Sequence, residues 1–290
     1  MGIGLALSGG GTKGAAHIGV LRALKEEKID IDYISGTSSG SIIAVLYALG
    51  YSTDEMKKLF IKFCNKMVDC DKLLPFKLIK SIFTGKLEVK GFASGKKLEN
   101  VIFSYCNNKH ITDISKIKLP IAIPTVNLQT GEIIYFVNKE LKKSRTNLYD
   151  DIPSYKCCGR IDEIVRASCS LPGVYIPKVI ENSILVDGGV RMNTPVNILK
   201  KMGAKNVVAI SFDGNKNEKT SYDNIFSIAM QSFDIMGHHI NELELGSADI
   251  VIRPKLKDIS VLDCSKIEDS ILKGYEETKA NIEKIKNKIS

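Results

Sequence analysis

A serine side chain becomes a nucleophile when a turn holds its hydroxyl out at the end of a buried strand, and one stretch of this chain has that form. An apolar run of strand type at Tyr33-Ile34-Ser35 enters Gly36-Thr37-Ser38-Ser39-Gly40, and an apolar helical stretch from Ser41 to Leu49 leaves it. Glycines at positions 36 and 40 let neighbouring backbone approach without Cβ clashes, as a Gly-x-Ser-x-Gly elbow requires. The helix that follows points its N-terminal N–H groups and the positive end of its dipole at any anion forming there. Ser38 is therefore the candidate nucleophile; the plainer alternative is a serine that only caps the helix.

A second loop could serve the same chemistry. The apolar strand Ile3 to Leu7 runs into Ser8-Gly9-Gly10-Gly11-Thr12-Lys13-Gly14, then into a helix from Ala15 to about Lys28 with Ile18, Leu21 and Leu24 on one face. The glycines fit Gly-x-Gly-x-x-Gly. A dinucleotide site, however, also needs an acid at the C-terminal end of the second strand, and Asp30 and Asp32 precede that strand. A Walker loop fails because Lys13 is followed by Gly14 rather than Ser or Thr. The remaining use is an oxyanion hole, in which one well-placed N–H donor contributes roughly 3–4 kcal/mol. Both loops are expected to end adjacent strands of one parallel sheet and to open on the same edge, which together suggests acyl transfer.

The residues now resemble a known family. Gly9-Gly10-Gly11-Thr12-Lys13-Gly14, then Ala15-Ala16-His17-Ile18-Gly19, then Gly36-Thr37-Ser38-Ser39-Gly40 look like the patatin-like phospholipases. Much later, a strand at Ile184-Leu185-Val186 ends in Asp187-Gly188-Gly189 and continues as Val190-Arg191-Met192-Asn193-Thr194-Pro195, similar to that family's Asp-Gly-Gly motif. An isolated Asp-Gly pair is usually a turn. Here the resemblance implies a Ser38–Asp187 dyad without histidine, metal or cofactor. It also implies an oxyanion hole drawn from Gly9, Gly10, Gly11, Lys13 and Gly14, with Gly10 and Gly11 as donors. The implied fold is a three-layer α/β/α sandwich with a mostly parallel central sheet, as one domain over residues 1–290. The implied substrate is a lipid or phospholipid acyl ester. Arg166-Ala167-Ser168-Cys169-Ser170-Leu171-Pro172 is similar to a block that lines the family's site, although from the sequence it is only a helix end and turn.

Two rivals stand beside this reading. His238 or His239 follows Asp187 in the chain order of a Ser-Asp-His hydrolase, but both fall inside an expected helix. The other is a lipid- or nucleotide-binding module with an idle serine. His17, alone within the first helix, reads as a packing or capping residue.

Composition narrows the classes further. The 290 residues carry 41 basic and 33 acidic side chains, a formal charge of +8, which could favour anionic headgroups. No zinc spacing, aromatic RNA-binding strand or arginine cluster points to nucleic acid. Seven cysteines, without a C-x-x-C pair, read as reduced thiols, and the start lacks the form of a signal peptide, so a cytoplasmic protein with at most peripheral membrane contact is expected. Oligomeric state is open.

The supporting elements follow from periodicity. A helix is expected from Tyr51 to about Cys64 with Thr53 as its cap, and another from Gly95 to Cys106. Residues 65–95 between them mix apolar and lysine side chains and form a candidate lid or cap segment. Leu119 to Val126 and Glu132 to Val137 read as strands joined at Asn127, with turn chemistry at the asparagine. The stretch 139–158 reads as a polar surface excursion. Further on come a helix from Ile161 to Ala167, a strand from Val207 to Phe212, a helix from Asn224 to about Leu245, and a strand from Ala248 to Arg253. A last helix is expected from Ser265 to Ile289, with Ile267, Ile271, Tyr275, Thr278, Ile282, Ile285 and Ile289 on one stripe.

Overall fold

In the first strand, β1 (Ile3–Leu7), all five residues are buried, and they alternate between two cores. Ile3, Leu5 and Leu7 join a large cluster, whereas Ala6 joins a second cluster on the other face with Val196, Leu199, Val207, Ala209 and Leu245. Strands buried on both faces need helices on both faces, and the chain supplies them. The computed structural model describes residues 2–64, 89–141, 154–212, 225–256, 259 and 263–289. The expected lid segment therefore lies outside the described residues up to residue 88, and most of the expected excursion does too.

Nine strands form one sheet: β1, β2 (Tyr33–Gly36), β3 (Ile121–Asn127), β4 (Ile133–Val137), β5 (Tyr155–Lys156), β6 (Lys178–Ile180), β7 (Ser183–Asp187), β8 (Asn206–Ile210) and β9 (Ile250–Ile252). The main path runs β5-β4-β3-β2-β1-β8-β9. β1, β2, β3, β8 and β9 run parallel in the middle, as expected, and β4, β6 and β7 enter in antiparallel pairs. β6 was missed because its three residues, Lys178-Val179-Ile180, are too few for a period to show.

The helices are α1 (Ala16–Glu26), α2 (Ser39–Ala48), α3 (Thr53–Cys64), α4 (Lys96–Asn108), α5 (Ile161–Ser168), α6 (Val196–Met202), α7 (Ile225–Leu245), α8 (Ile267–Ala280) and α9 (Ile282–Ile289). α1 crosses α8 with backbones in contact at Gly19 and Gly274; a Cβ at either glycine would collide with the other helix's main chain. α6 lies on the opposite face of the sheet, with Val196 and Leu199 in the second core.

Several details differ from the sequence reading. α3 is capped by Ser52 rather than Thr53: Glu55 N–H donates to the Ser52 hydroxyl at 3.3 Å, and Ser52 N–H donates to the Glu55 carboxylate at 2.8 Å, a reciprocal capping box. The last helix is two helices. At Asn281 the side chain donates to the Glu277 carbonyl at 2.8 Å, an alternative to continued helix, while its own carbonyl accepts from Ile285. The cysteines were expected to be reduced. Instead Cys64, at the end of α3, is joined to Cys264, which stands just before α8, in a disulfide spanning 200 positions. Sequence separation hid this pairing, because only the packing of α3 and α8 beside α1 brings the two sulfurs together.

Candidate active site

β1 and β2 are parallel with Leu7 opposite Gly36, so the glycine loop and the serine turn leave the same edge side by side. Ser38 has φ 51° and ψ −123°, a left-handed conformation that a non-glycine residue holds only under constraint. The constraint is visible on every side. Thr37 N–H donates to Leu7 O at 3.1 Å, Gly40 N–H to Thr37 O at 2.8 Å and Ser41 N–H to Ser38 O at 2.9 Å, while the Thr37 hydroxyl donates to Met192 O at 2.8 Å. A Cβ on Gly40 would lie 2.5 Å from Leu7 O and 2.7 Å from Ser8 O, which is why that position takes glycine.

The register of β3 explains how Asp187 reaches this turn. β4 pairs along one edge of β3. On the other edge β2 pairs with Ile121 and Ala122, and β7 pairs with Thr125, Val126 and Asn127. β2 and β7 thus share one column of the sheet and approach head-on, with Asp187 opposite Thr125. Gly188 closes the gap, since a Cβ there would lie 2.5 Å from Pro124 O and 3.1 Å from a Thr37 methyl.

The Asp187 carboxylate accepts hydrogen bonds from the Ser38 hydroxyl and from Gly189 N–H, the latter at 2.8 Å. It is 3% exposed. Burial pushes its pKa up to about 6, and the two hydrogen bonds pull the other way. No histidine is a hydrogen-bond partner of Ser38 or Asp187 among the described residues, which include all four histidines. His238 and His239 lie on α7. His17 is wholly buried, stacks on Phe212 with ring centroids 4.6 Å apart, and places Nε2 2.8 Å from Ser8 O. Burial lowers its pKa to about 4, so the ring is neutral and Nε2–H donates to that carbonyl, bracing the glycine loop.

Within that loop the N–H groups have different occupations. Gly9 N–H is held by Asn193, through the side-chain oxygen at 3.1 Å and the carbonyl at 3.2 Å. Lys13 is buried in a 3-10 turn, and its N–H donates to Gly10 O at 3.2 Å. Gly14 allows that turn to sit against Ser39, whose Oγ would be 2.5 Å from a Cβ. Gly10 and Gly11 N–H have no hydrogen-bond partner among the described residues. The loop lies against the nucleophile: a Cβ on Gly9 would be 3.1 Å from Ser38 Cβ.

Four supporting residues had no role in the sequence reading. The Ser168 hydroxyl accepts from Ser38 N–H at 3.1 Å and donates to Pro124 O at 2.9 Å, so it ties the nucleophile's backbone to β3. Ser170 O accepts from Asp187 N–H at 3.0 Å. Cys169 Sγ is in hydrogen-bonding reach of the Ser38 and Ser41 hydroxyls, and burial pushes its thiol up to about 12, which keeps it protonated. Asn193 joins the glycine loop to the turn after Asp187. The turn Ser168-Cys169-Ser170 ending α5 is thus the shared bracket of both groups; the resemblance pointed to the block, and no local pattern could assign its bonds. Asp32, weighed as a ribose acid, accepts from Ile3 N–H at 2.8 Å and pins the start of β1 instead.

The comparisons with known proteins agree with this geometry. The patatin-like phospholipase family model matches residues 5–200. The chain is 27% identical to lysophospholipase NTE1 of Kluyveromyces lactis over 94% of its own length and 18% of that protein's. It is 31% identical to the NTE1 lysophospholipase of Mycosarcoma maydis over 72% of its own length and 10% of that protein's. It therefore spans less than a fifth of the length of these relatives. Among solved structures, VipD from Legionella pneumophila superposes with a TM-score of 0.52 at 16% identity, covering 98% of this chain and 67% of that one, a likeness of fold. By its sequence, the chain belongs to the patatin-like phospholipase family.

Proposed function

We propose that the chain is a lipid acyl hydrolase, of phospholipase A or lysophospholipase type, that works through a Ser38–Asp187 dyad. The observation that carries this reading is the hydrogen bond from the strained Ser38 hydroxyl to a buried carboxylate. Asp187 takes the Ser38 proton as Oγ attacks the ester carbonyl, and the carbonyl π electrons move to oxygen. Gly10 and Gly11 N–H hold that oxyanion, and the α2 dipole adds to the stabilisation. Collapse expels the alcohol, which leaves with the proton from Asp187. Water then gives a proton to Asp187 and attacks acyl-Ser38; the second collapse returns the proton to Ser38 Oγ and frees the fatty acid.

A carboxylate with an ordinary pKa is a weak base, and its burial raises the basicity of Asp187 toward the working range. The neutral, loop-bracing His17 and the absence of a histidine partner for either residue favour the dyad over a Ser-Asp-His triad. Among the described residues no helix is long and apolar enough to cross a membrane, and no cluster of metal-ligating side chains is present. The Cys64–Cys264 bond removes one ground for placing the chain in a reducing compartment.

The test is hydrolysis of p-nitrophenyl acyl esters and lysophospholipid by wild type, Ser38→Ala and Asp187→Asn. Both variants should lose about 10³-fold or more, with native melts. Activity surviving in Ser38→Ala would sink the mechanism. A joint His238→Gln, His239→Gln variant should keep most of its activity.

A further inference from the structure

α7 is inside out. Taken at 100° per residue, Ile225, Ile228, Phe233, Ile235, Met236 and Leu243 fall within an arc of about 160° on one face. That face points away from the protein: Ile225 is 87% exposed, Leu243 71% and Ile235 63%. The opposite face, which meets the body of the protein, carries Ser227, Gln231, Gly237, His238 and Asn241, all half-buried or buried. A helix serving only the fold would put these two sets the other way round. The arrangement is fixed by polar anchors at the C-terminal end. Asn241 donates to the Ser211 hydroxyl at 3.3 Å, and the Glu244 carboxylate accepts from Asn197 at 2.9 Å.

The placement of this face relates it to the site. α7 packs against the turn Gly188–Val190 that directly follows Asp187, with Gly237 approaching Gly189 O. Asp234 is the single charged side chain between Ile225 and Ile240, counting histidine as neutral.

We propose that the outer face of α7 docks on a lipid surface and brings the catalytic edge to it. The proposal rests on the lipid-hydrolase reading for its purpose, but its test does not. The size of the face selects the occupant. From Ile225 to Leu243 the strip is about 27 Å long and about 10 Å wide, roughly 270 Å² in projection. That falls well short of the roughly 800 Å² per partner that specific protein pairs bury. A lipid surface, by contrast, accepts a single amphipathic helix lying flat, with its apolar side chains sunk to the acyl boundary. With a face almost free of charge, binding is apolar and does not depend on anionic headgroups.

The experiment is co-sedimentation of the Ser38→Ala protein with phosphatidylcholine vesicles, which leaves the bilayer unhydrolysed. Replacing Ile228, Ile235 and Leu243 together by Ser should lower partitioning about tenfold or more, and 1 M salt should not release the parent protein. The chain has no tryptophan, so Met236→Trp supplies a single reporter, whose emission should shift to the blue on adding vesicles. On the active background the triple variant should hydrolyse a dissolved short-chain ester at the parent rate and vesicle phospholipid at least about tenfold more slowly. Equal partitioning of parent and triple variant, or an unshifted indole, overturns the proposal. So does a vesicle-free dimer that the triple substitution dissociates, which would assign the face to a second copy. Vesicle binding by a protein inert on every ester would leave the docking intact and remove the hydrolase reading.

Discussion

Ser38 and Asp187 stand at the ends of two strands that enter one column of the sheet from opposite directions. β2 rises beside Ile121 and Ala122 and turns out at Ser38; β7 descends beside Asn127, Val126 and Thr125 and stops at Asp187. The Ser38 hydroxyl donates to the carboxylate across this junction. Because both ends belong to the sheet, the pair is positioned by backbone ladders and needs no mobile loop. Four expectations follow from the bracing around it.

The pH dependence has a definite sign. As a base Asp187 must be ionised, so kcat/KM should rise with pH through about 6 and level off above it. The same shift costs stability. The folded pKa lies above the ordinary value of 3.8, so the ionised carboxylate destabilises the fold at pH above about 6, by up to about 3 kcal/mol, and the cost disappears below the unfolded value. Asp187→Asn should therefore melt higher than wild type at pH 8, with the difference closing toward pH 4. A lower melt for Asp187→Asn at pH 8 would contradict the assignment.

Ser168→Ala removes the acceptor for the Ser38 N–H and the donor to Pro124 O at once. Leaving these groups unpaired in a buried site costs about 1–3 kcal/mol, and the elbow loses its tie to β3. kcat should fall about 10- to 100-fold with KM and the acid limb little changed, since 1.4 kcal/mol is tenfold. Ser168→Thr, which keeps the hydroxyl, should recover most of the loss. A fall confined to KM would assign Ser168 to substrate contact instead.

Glycines of the site and of the surface should respond differently to the same methyl group. Gly40→Ala drives a Cβ to 2.5 Å from Leu7 O, a rigid strand carbonyl, and should cost about 3 kcal/mol or more in a urea melt. Gly131→Ala meets nothing within 4 Å and bears only the strain of φ +74°, about 1 kcal/mol. Equal losses would mean that Gly40 is not held against β1.

Reduction of Cys64–Cys264 should lower the melting temperature without touching the dyad. A closed loop of 200 positions restricts the unfolded chain by up to about 5 kcal/mol. Dithiothreitol and the Cys64→Ser, Cys264→Ser double variant should lower the melt alike, with ester turnover at 25 °C preserved. An unchanged melt in reductant would show that the bond does not form in the protein as isolated.

What the sequence determined is what a few consecutive residues can set by themselves. Gly36-x-Ser38-x-Gly40 dictates an elbow because the φ of Ser38 and the close approaches at Gly36 and Gly40 are decided within one turn. Ile3 to Leu7 and Tyr33 to Gly36 dictate buried strands through their apolar runs, and the Asx turn at Asn127, which accepts from Gln129 N–H at 2.9 Å, is local for the same reason. The tertiary structure decided everything that depends on which segments meet. It set Asp187 opposite Thr125, closed Asn193 onto Gly9 across 184 positions, and turned Ser168 under Ser38. It also joined Cys64 to Cys264 and left the apolar side of α7 facing outward. These are long-range pairings, and their energies depend on register, burial and the removal of water. No window of sequence contains those quantities, because they exist only once the sheet has brought distant backbones into one column.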